Sequence, residues 1–314
     1  MNSNRSGGWK PYVVLMFMPL FFSSNLIFGR AAITSVEPWT FAFLRWFFAF
    51  VFLLPFAWSG IRAHRDILKA QWKTIVFLGF LGMWICGGIV YHALHFTTAT
   101  NATLIYTSSP ILILLLEWAF RGRRMGGREV VGVALALVGV VMILTKGSLA
   151  VLLGLTFNLG DLAMALAAIS WAIYSVLLKS RDLAQVPTVA VFAVVAGAGA
   201  LTLLPFMVWE TIVTQSFPVT VDAWTAIAGT VVFVSLLAFT FYQYGIETIG
   251  PSVTGFFMYL LPPYGVLMAV TFLGETLQPF HFIGFGCVMA GLLLATLPGS
   301  VWKRVASRAS GSSH

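Results

Sequence analysis

The sequence predicts an all-α polytopic membrane protein, with ten transmembrane helices forming two inverted five-helix repeats around a central cavity. Three observations predict it. Apolar residues make up 59% of the 314 residues and charged residues 9%, a balance that soluble domains of this length do not reach. Apolar runs of roughly 20 residues, the length of helix that crosses a bilayer, recur along the whole chain. Finally, the stretch from Asn101 to Leu144 occurs twice. Pro110, Gly122, Gly132 and Gly139 are answered by Pro262, Gly274, Gly284 and Gly291, and 262−110, 274−122, 284−132 and 291−139 are all 152. Glycine is 29 of 314 residues, so this shared register points to duplicated halves.

The spans follow in order. Expected boundaries are Tyr12 to Ala31 for α1, Trp39 to Trp58 for α2, Ile75 to His95 for α3, Ala99 to Ala119 for α4 and Val130 to Thr145 for α5. After a low-charge link come α6 from Leu162 to Leu178, α7 from Val189 to Val208, α8 from Ala223 to Ile246, α9 from Val253 to Phe272 and α10 from Phe280 to Leu297. This divides the chain into an N-terminal tail (1–11), a first repeat (12–147), a linker (148–158), a second repeat (159–298) and a C-terminal tail (299–314), whose polar end from Ser307 to His314 is expected to be disordered. The early spans match at a slightly shorter offset: Pro38 with Pro187 (149), Leu54-Pro55-Phe56 with Leu204-Pro205-Phe206 (150), Arg30 with Lys179 (149). Five spans per repeat is an odd number, so the second copy inserts upside down. Arg123 and its counterpart Glu275 then fall on opposite sides, as charge selection at a turn requires.

The formal charge is +8. Arg62, Arg65, Lys69 and Lys73 share one loop, Arg121, Arg123, Arg124 and Arg128 another, Lys179 and Arg181 a third, and Lys303, Arg304 and Arg308 the tail. With Arg5 and Lys10 they fall on one side of a ten-span chain, leaving Arg30 and Lys146 on the other. That is the positive-inside pattern, with both termini cytoplasmic and anionic lipid rather than nucleic acid as the partner of the charge. Cys86 and Cys287 lie inside spans, so neither a disulfide nor a metal site is expected. Without a phosphate-binding glycine-rich loop, no nucleotide or other cofactor is implied.

Inverted repeats place a substrate site near the midplane between the halves, and the polar and aromatic residues there are the candidates. Trp84, Gly88, Tyr91 and His95 share a face of α3. Adding 152 gives Leu236, Thr240, Gln243 and Glu247 on α8, with Tyr242 and Tyr244 beside them. The two stripes are expected to face each other across a cavity, with Gly88 as a gap and hinge, while His95 and Glu247 sit near helix ends. On α4, Asn101 and Ser108 share a face below Pro110. On α9, Tyr259 precedes Pro262 and Pro263. Proline in a membrane helix removes a backbone hydrogen bond, and breaks at matching places in two halves point to a transport site. Asn25 on α1 and Trp171 with Tyr174 on α6 complete the set. Arg45, two turns from the end of α2, is expected to form a structural ion pair. Glu117 and Arg121 suit an i,i+4 pair. No carboxylate lies in the middle third of any span, which disfavours a cationic substrate.

These residues resemble the drug/metabolite transporter superfamily, EamA type. Pro262, Gly274-Glu275, Gly284 and Gly291 stand as in that family. In the first half Arg45, Pro110, Gly132, Gly139 and the phrase Tyr91-His92-Ala93-Leu94 fit, while Arg123 replaces the usual glutamate. The resemblance implies ten helices in two inverted halves, a cavity lined mainly by α1, α3, α4, α6, α8 and α9, and alternating access without ATP. Within the family the chain looks most like YddG-type exporters of aromatic and other neutral amino acids. The leading expectation is therefore an exporter of such solutes in a bacterial inner membrane, with the lipid bilayer and a small-molecule substrate as its partners; the sequence leaves the oligomeric state open, a monomer being compatible with it. Aromatic faces would hold the side chain or ammonium, and Asn101 with freed backbone near Pro110 or Pro262 the carboxylate. The alternatives are export of another metabolite or an amphipathic drug and, further off, a membrane enzyme or sensor, for which the five histidines form no motif.

Overall fold

The computed structural model describes residues 9–25, 28–29, 32, 35–123, 125–156, 158–274 and 276–297. Most of both tails, the end of α1 at Ala31, and Arg5, Arg30, Arg124, Glu275, Lys303, Arg304 and Arg308 lie outside the described residues. So does the expectation for Ser307 to His314. Among the described residues every regular element is helical.

Among the described residues nine helices are long and apolar enough to cross a membrane. They are α2 (Pro38–Ala63), α3 (Trp72–Ala93), α4 (Asn101–Arg121), α5 (Gly127–Leu144), α6 (Leu159–Leu178), α7 (Thr188–Thr214), α8 (Val221–Thr248), α9 (Pro251–Phe272) and α10 (Pro279–Thr296). α1 is described as a shorter helix, Lys10–Ser23. Two boundaries differ from expectation in the same way. α2 and α7 run past Trp58 and Val208 to Ala63 and Thr214, because their last turns keep the helical pattern although they leave the most apolar zone. The basic loop after α2 also holds a short helix, Arg65–Ala70, and the linker holds Leu149–Leu153.

The repeat is visible in the packing. α2 packs along α7, α5 along α10, and α4 meets α9. Further contacts come in related pairs: α6 with α3 and α1 with α8, α6 with α4 and α1 with α9, α7 with α3 and α2 with α8. Local features follow the same relation. α3 and α8 each contain a π-helical stretch, Phe80–Ile89 and Thr230–Ala238. α4 and α9 end on left-handed glycines, Gly122 (φ 66°) and Gly274 (φ 69°), a conformation glycine adopts without a Cβ penalty.

Lipid tails are as apolar as side chains, so membrane helices associate by close packing of small residues rather than by burial from water. The α5–α10 crossing is the clearest case. A Cβ at Gly139 would lie 2.6 Å from the Gly284 carbonyl oxygen, and one at Gly291 2.5 Å from that of Gly132. Four of the six glycines that reveal the repeat in sequence therefore meet each other in space. Outward-facing Phe56, Leu201 and Phe272 remain exposed, as a lipid-facing surface requires.

Polar side chains close the helix ends, and several reach across halves. Glu210 on α7 accepts from the backbone N–H groups of Trp39 (3.1 Å) and Thr40 (2.7 Å) at the start of α2. Glu117 on α4 accepts from the N–H (3.2 Å) and hydroxyl of Ser252 at the start of α9. Both carboxylates meet a helix N-terminus, where unpaired donors and the dipole favour negative charge. Glu117 also pairs with Arg121 (3.6 Å), and Arg123 with Glu129 (3.1 Å). Gln71 donates to Asp182 (2.6 Å), joining two of the basic loops at one end of the bundle, called here the basic-loop end.

Candidate functional site

The region enclosed by α1, α3, α4, α6, α8 and α9 is closed and aromatic. α4 and α9 are both interrupted there. α4 turns at Thr107 and Ser108 just before Pro110, and α9 passes through a tight helical turn, Phe257–Leu260, before Pro262 and Pro263. The freed backbone on α4 is met locally: Thr107, Ser108 and Ser109 donate to the carbonyls of Leu104, Ile105 and Tyr106 (2.7, 2.7 and 2.6 Å). Ser108 thus bonds to its own helix.

On α6, Trp171, Tyr174 and Ser175 present one buried face to α8. The Trp171 ring stacks on Tyr174 (5.4 Å between centroids), tilts against Tyr242 (4.8 Å) and meets Phe239 edge-on (5.4 Å). Its indole N–H donates to the Met258 sulfur on α9 (3.2 Å). Ser175 and Tyr242 share a hydrogen bond of 2.6 Å, and Gln243 donates to the Tyr174 hydroxyl (3.1 Å). The carbonyl oxygen of Gln243 and the hydroxyl of Tyr259 are buried without a partner, where a buried polar atom left unpaired costs about 1–3 kcal/mol.

A second layer lies toward the other end. Tyr91 on α3 donates to the Asn25 side-chain oxygen on α1 (3.2 Å) and accepts from Arg45 Nη1 (2.6 Å). Arg45 Nε donates to Ser235 on α8 (2.6 Å). The Tyr91–Asn25 and Gln243–Tyr174 bonds are counterparts under the repeat, since 243−91 is 152 and 174−25 is 149. Phe239 joins the layers, lying against Trp171 and 5.9 Å from the Arg45 guanidinium carbon.

The structure thus brings together Trp171, Tyr174, Tyr242 and Gln243, with Tyr259 next to Met258, and joins Asn25 to Tyr91. Besides Ser108, three candidates lie elsewhere or are engaged. Trp84 packs outward with Trp39 (5.3 Å), Phe80 (4.9 Å) and Phe206 (5.0 Å), between α2, α3 and α7. Gly88, inside the π stretch, admits the Trp39 ring, which a Cβ there would meet at 2.2 Å. Asn101 is tied to the linker and the start of α6, donating to the Thr156 carbonyl (2.9 Å) and Asp161 (3.2 Å). The same Asp161 accepts from Thr97 and caps α6 with Asn158. The ion pair expected for Arg45 is not found: among the described residues no carboxylate lies within 4.0 Å of it.

Sequence reasoning passed over Phe22, Ser175, Ser235 and Phe239, which complete the core. Phe22 carried a signal, because 171−22 is 149 and it answers Trp171; the two rings meet edge-on at 6.2 Å. Two clefts open beside this core at the basic-loop end. One, of about 280 Å³, lies between α7 and α8 against Pro187, Thr188, Phe192, Thr240 and Gln243. The other, of about 100 Å³, is lined by Leu178, Lys179, Thr188, Gln243 and Glu247. Thr188 donates to Glu247 across them. Among the described residues no group of three or more metal-ligating side chains occurs.

The profile of one family, the EamA-like transporter family, matches twice, over residues 9–145 and 158–297. The chain is 25% identical over 288 residues to the uncharacterized transporter YyaM of Bacillus subtilis, covering 91% of this chain and 93% of that one. It is 26% identical over 292 residues to an uncharacterized transporter of Archaeoglobus fulgidus (91% and 97% covered). It is also 26% identical over 290 residues to the uncharacterized inner membrane transporter YedA of Escherichia coli K12 (89% and 91%). One solved crystal structure, 23% identical, superposes with a TM-score of 0.72 over 91% of this chain and 96% of that one, which shows a shared fold.

Proposed function

We propose that this chain, which belongs to the EamA-like transporter family, exports neutral amino acids with aromatic or other apolar side chains by alternating access. The coarser statement needs no proposal: it is a multi-pass membrane transporter and not an enzyme. The finer reading rests on the closed core. Rings of Phe22, Trp171, Tyr174, Phe239 and Tyr242 pack together, Gln243 bonds to one of them, and the Gln243 carbonyl oxygen and Tyr259 hydroxyl are buried without a partner. An apolar side chain suits the rings, and an ammonium suits the free carbonyl and the π faces.

The acids argue against a cationic substrate. Among the described residues the buried carboxylates are Glu117, Asp161 and Glu210, and all three are occupied at helix ends. The clefts that touch Gln243 lie at the basic-loop end, which the positive-inside rule assigns to the cytoplasm, together with both termini. Entry from there suits export. In this reading the first repeat is 12–147, the linker 148–158 and the second repeat 159–298. The membrane is the bacterial inner membrane, as the name of the Escherichia coli relative has it for that protein.

The test is flux in proteoliposomes, with labelled tryptophan, phenylalanine, methionine, threonine and lysine compared with and without a pH gradient. Uptake of the neutral solutes without lysine is expected. No flux of any of them by folded protein would refute the reading.

A further inference from the structure

Arg45 is a buried cation with no carboxylate against it among the described residues. It is 5% exposed. Of the chain's ten acids, Glu275 lies outside the described residues, and none of the other nine comes within 4.0 Å of Arg45. Most of those nine are engaged elsewhere: Asp66 with Arg65, Glu117 with Arg121 and Ser252, Glu129 with Arg123, and Asp161, Asp182, Glu210 and Glu247 in the hydrogen bonds given above.

Among the described residues two of the five N–H donors of the guanidinium find partners, both neutral hydroxyls, Ser235 and Tyr91. Its charge otherwise lies 4.8 Å from the centroid of the Trp46 ring and 5.9 Å from that of Phe239. Packing at this helix position does not require a cation. By the offset of 150 that relates Pro55 to Pro205, the counterpart of Arg45 is Val195, which is fully buried. The charge is therefore an addition to one half only.

We infer that Arg45 is the subsite for a carboxylate on the transported solute. This rests on the proposed export of amino acids and narrows it, because every substrate must then carry an acid group. A guanidinium fork matches a carboxylate with two parallel hydrogen bonds, and a dry site strengthens them. The geometry continues into the aromatic core. Phe239 touches both Arg45 and Trp171, so a solute whose carboxylate meets Arg45 lays its side chain against Phe22, Phe239 and Trp171. Tyr91, bonded to both Arg45 and Asn25, sets the angle of the guanidinium and acts as a positioning residue.

The test uses the full chain in proteoliposomes. Labelled phenylalanine flux is challenged with 3-phenylpropionate, phenylalaninamide and phenethylamine. The acid should compete, and the amide and amine should not. Arg45→Met should lower flux by about tenfold or more, as loss of a charged hydrogen-bond partner implies, and Arg45→Lys should keep part of it. If Arg45→Met fails to fold, the competition on the unaltered protein still decides.

Equal competition by phenylalaninamide would overturn the inference and leave amino-acid export standing. If no amino acid is carried, thermal stabilisation by 3-phenylpropionate and not by phenylalaninamide, lost in Arg45→Met, would uphold the subsite and refute amino-acid export. Neither flux nor such stabilisation would overturn both.

Discussion

Replacing Gly139 by alanine tests the α5–α10 crossing with a single methyl group. The added Cβ would lie 2.6 Å from the Gly284 oxygen, 2.8 Å from the Val288 nitrogen and 2.9 Å from the Cys287 Cβ. Two of these are backbone atoms, so no side chain can swing away. The helices must part by roughly 1 Å to restore ordinary contact, which forfeits a quarter to a half of the dispersion energy at each pair along the seam. Overpacking of this kind costs about 1–3 kcal/mol, and the upper end applies where backbone must move. Alanine returns roughly 1 kcal/mol as the better helix former, leaving a net loss of about 2 kcal/mol. Gly286, on the partner helix α10, has nothing within 4 Å of its Cβ position. Gly286→Ala should therefore be neutral or gain up to about 1 kcal/mol. At roughly 2–4 °C per kcal/mol for chains somewhat shorter than this one, the first variant should melt about 4–8 °C lower and the second no lower than the parent. Thermal unfolding in detergent, followed with a thiol-reactive dye, suits the purpose because Cys287 sits at the crossing. Equal shifts for the two variants would refute the argument, since the seam would then tolerate a side chain where the backbones meet.

Two further predictions concern the core and a helix end. Tyr91→Phe removes the hydroxyl that bonds Arg45 and Asn25, and Trp171→Phe removes the donor to Met258; each should lower flux while the protein stays monodisperse. Alanine is the poorer probe at Trp171, because truncating a buried tryptophan costs about 3–5 kcal/mol by itself. Glu210→Gln should lower the melting temperature by an amount equivalent to about 1–3 kcal/mol, since an amide offers one acceptor oxygen to donors that now use both carboxylate oxygens. KM should stay unchanged in that variant, because Glu210 lies at the start of α2 and away from the core.

Much of the architecture was legible before any coordinates. Hydropathy marked the spans, and the offset of 152 between Pro110 and Pro262 marked both the duplication and the two interrupted helices. The same glycines marked the repeat, but that they meet each other along the α5–α10 seam is visible only in the structure. Partners distant in sequence were less accessible. Asn101 and Ser108 look like site residues because they are polar and share a face, yet Asp161 and the backbone of Thr156 engage one and Ile105 the other. Trp84 shares a stripe with Tyr91 under α-helical spacing. The π stretch around it changes residues per turn, so a spacing argument built on 3.6 misplaces its direction. Arg45 was read as paired because a buried charge ordinarily is. Among the described residues no carboxylate reaches it.

The α5–α10 contact is isologous: Gly139 meets Gly284 as its counterpart Gly291 meets Gly132, which is itself the counterpart of Gly284. That is the signature of a two-fold homodimer interface, here formed within one polypeptide. The segment from Thr145 to Asn158 then works as a tether that fixes one-to-one stoichiometry and opposite insertion for two bundles that already fit. A chain cut within it and expressed as two pieces keeps every atom of the seam, so the halves retain the means to find each other.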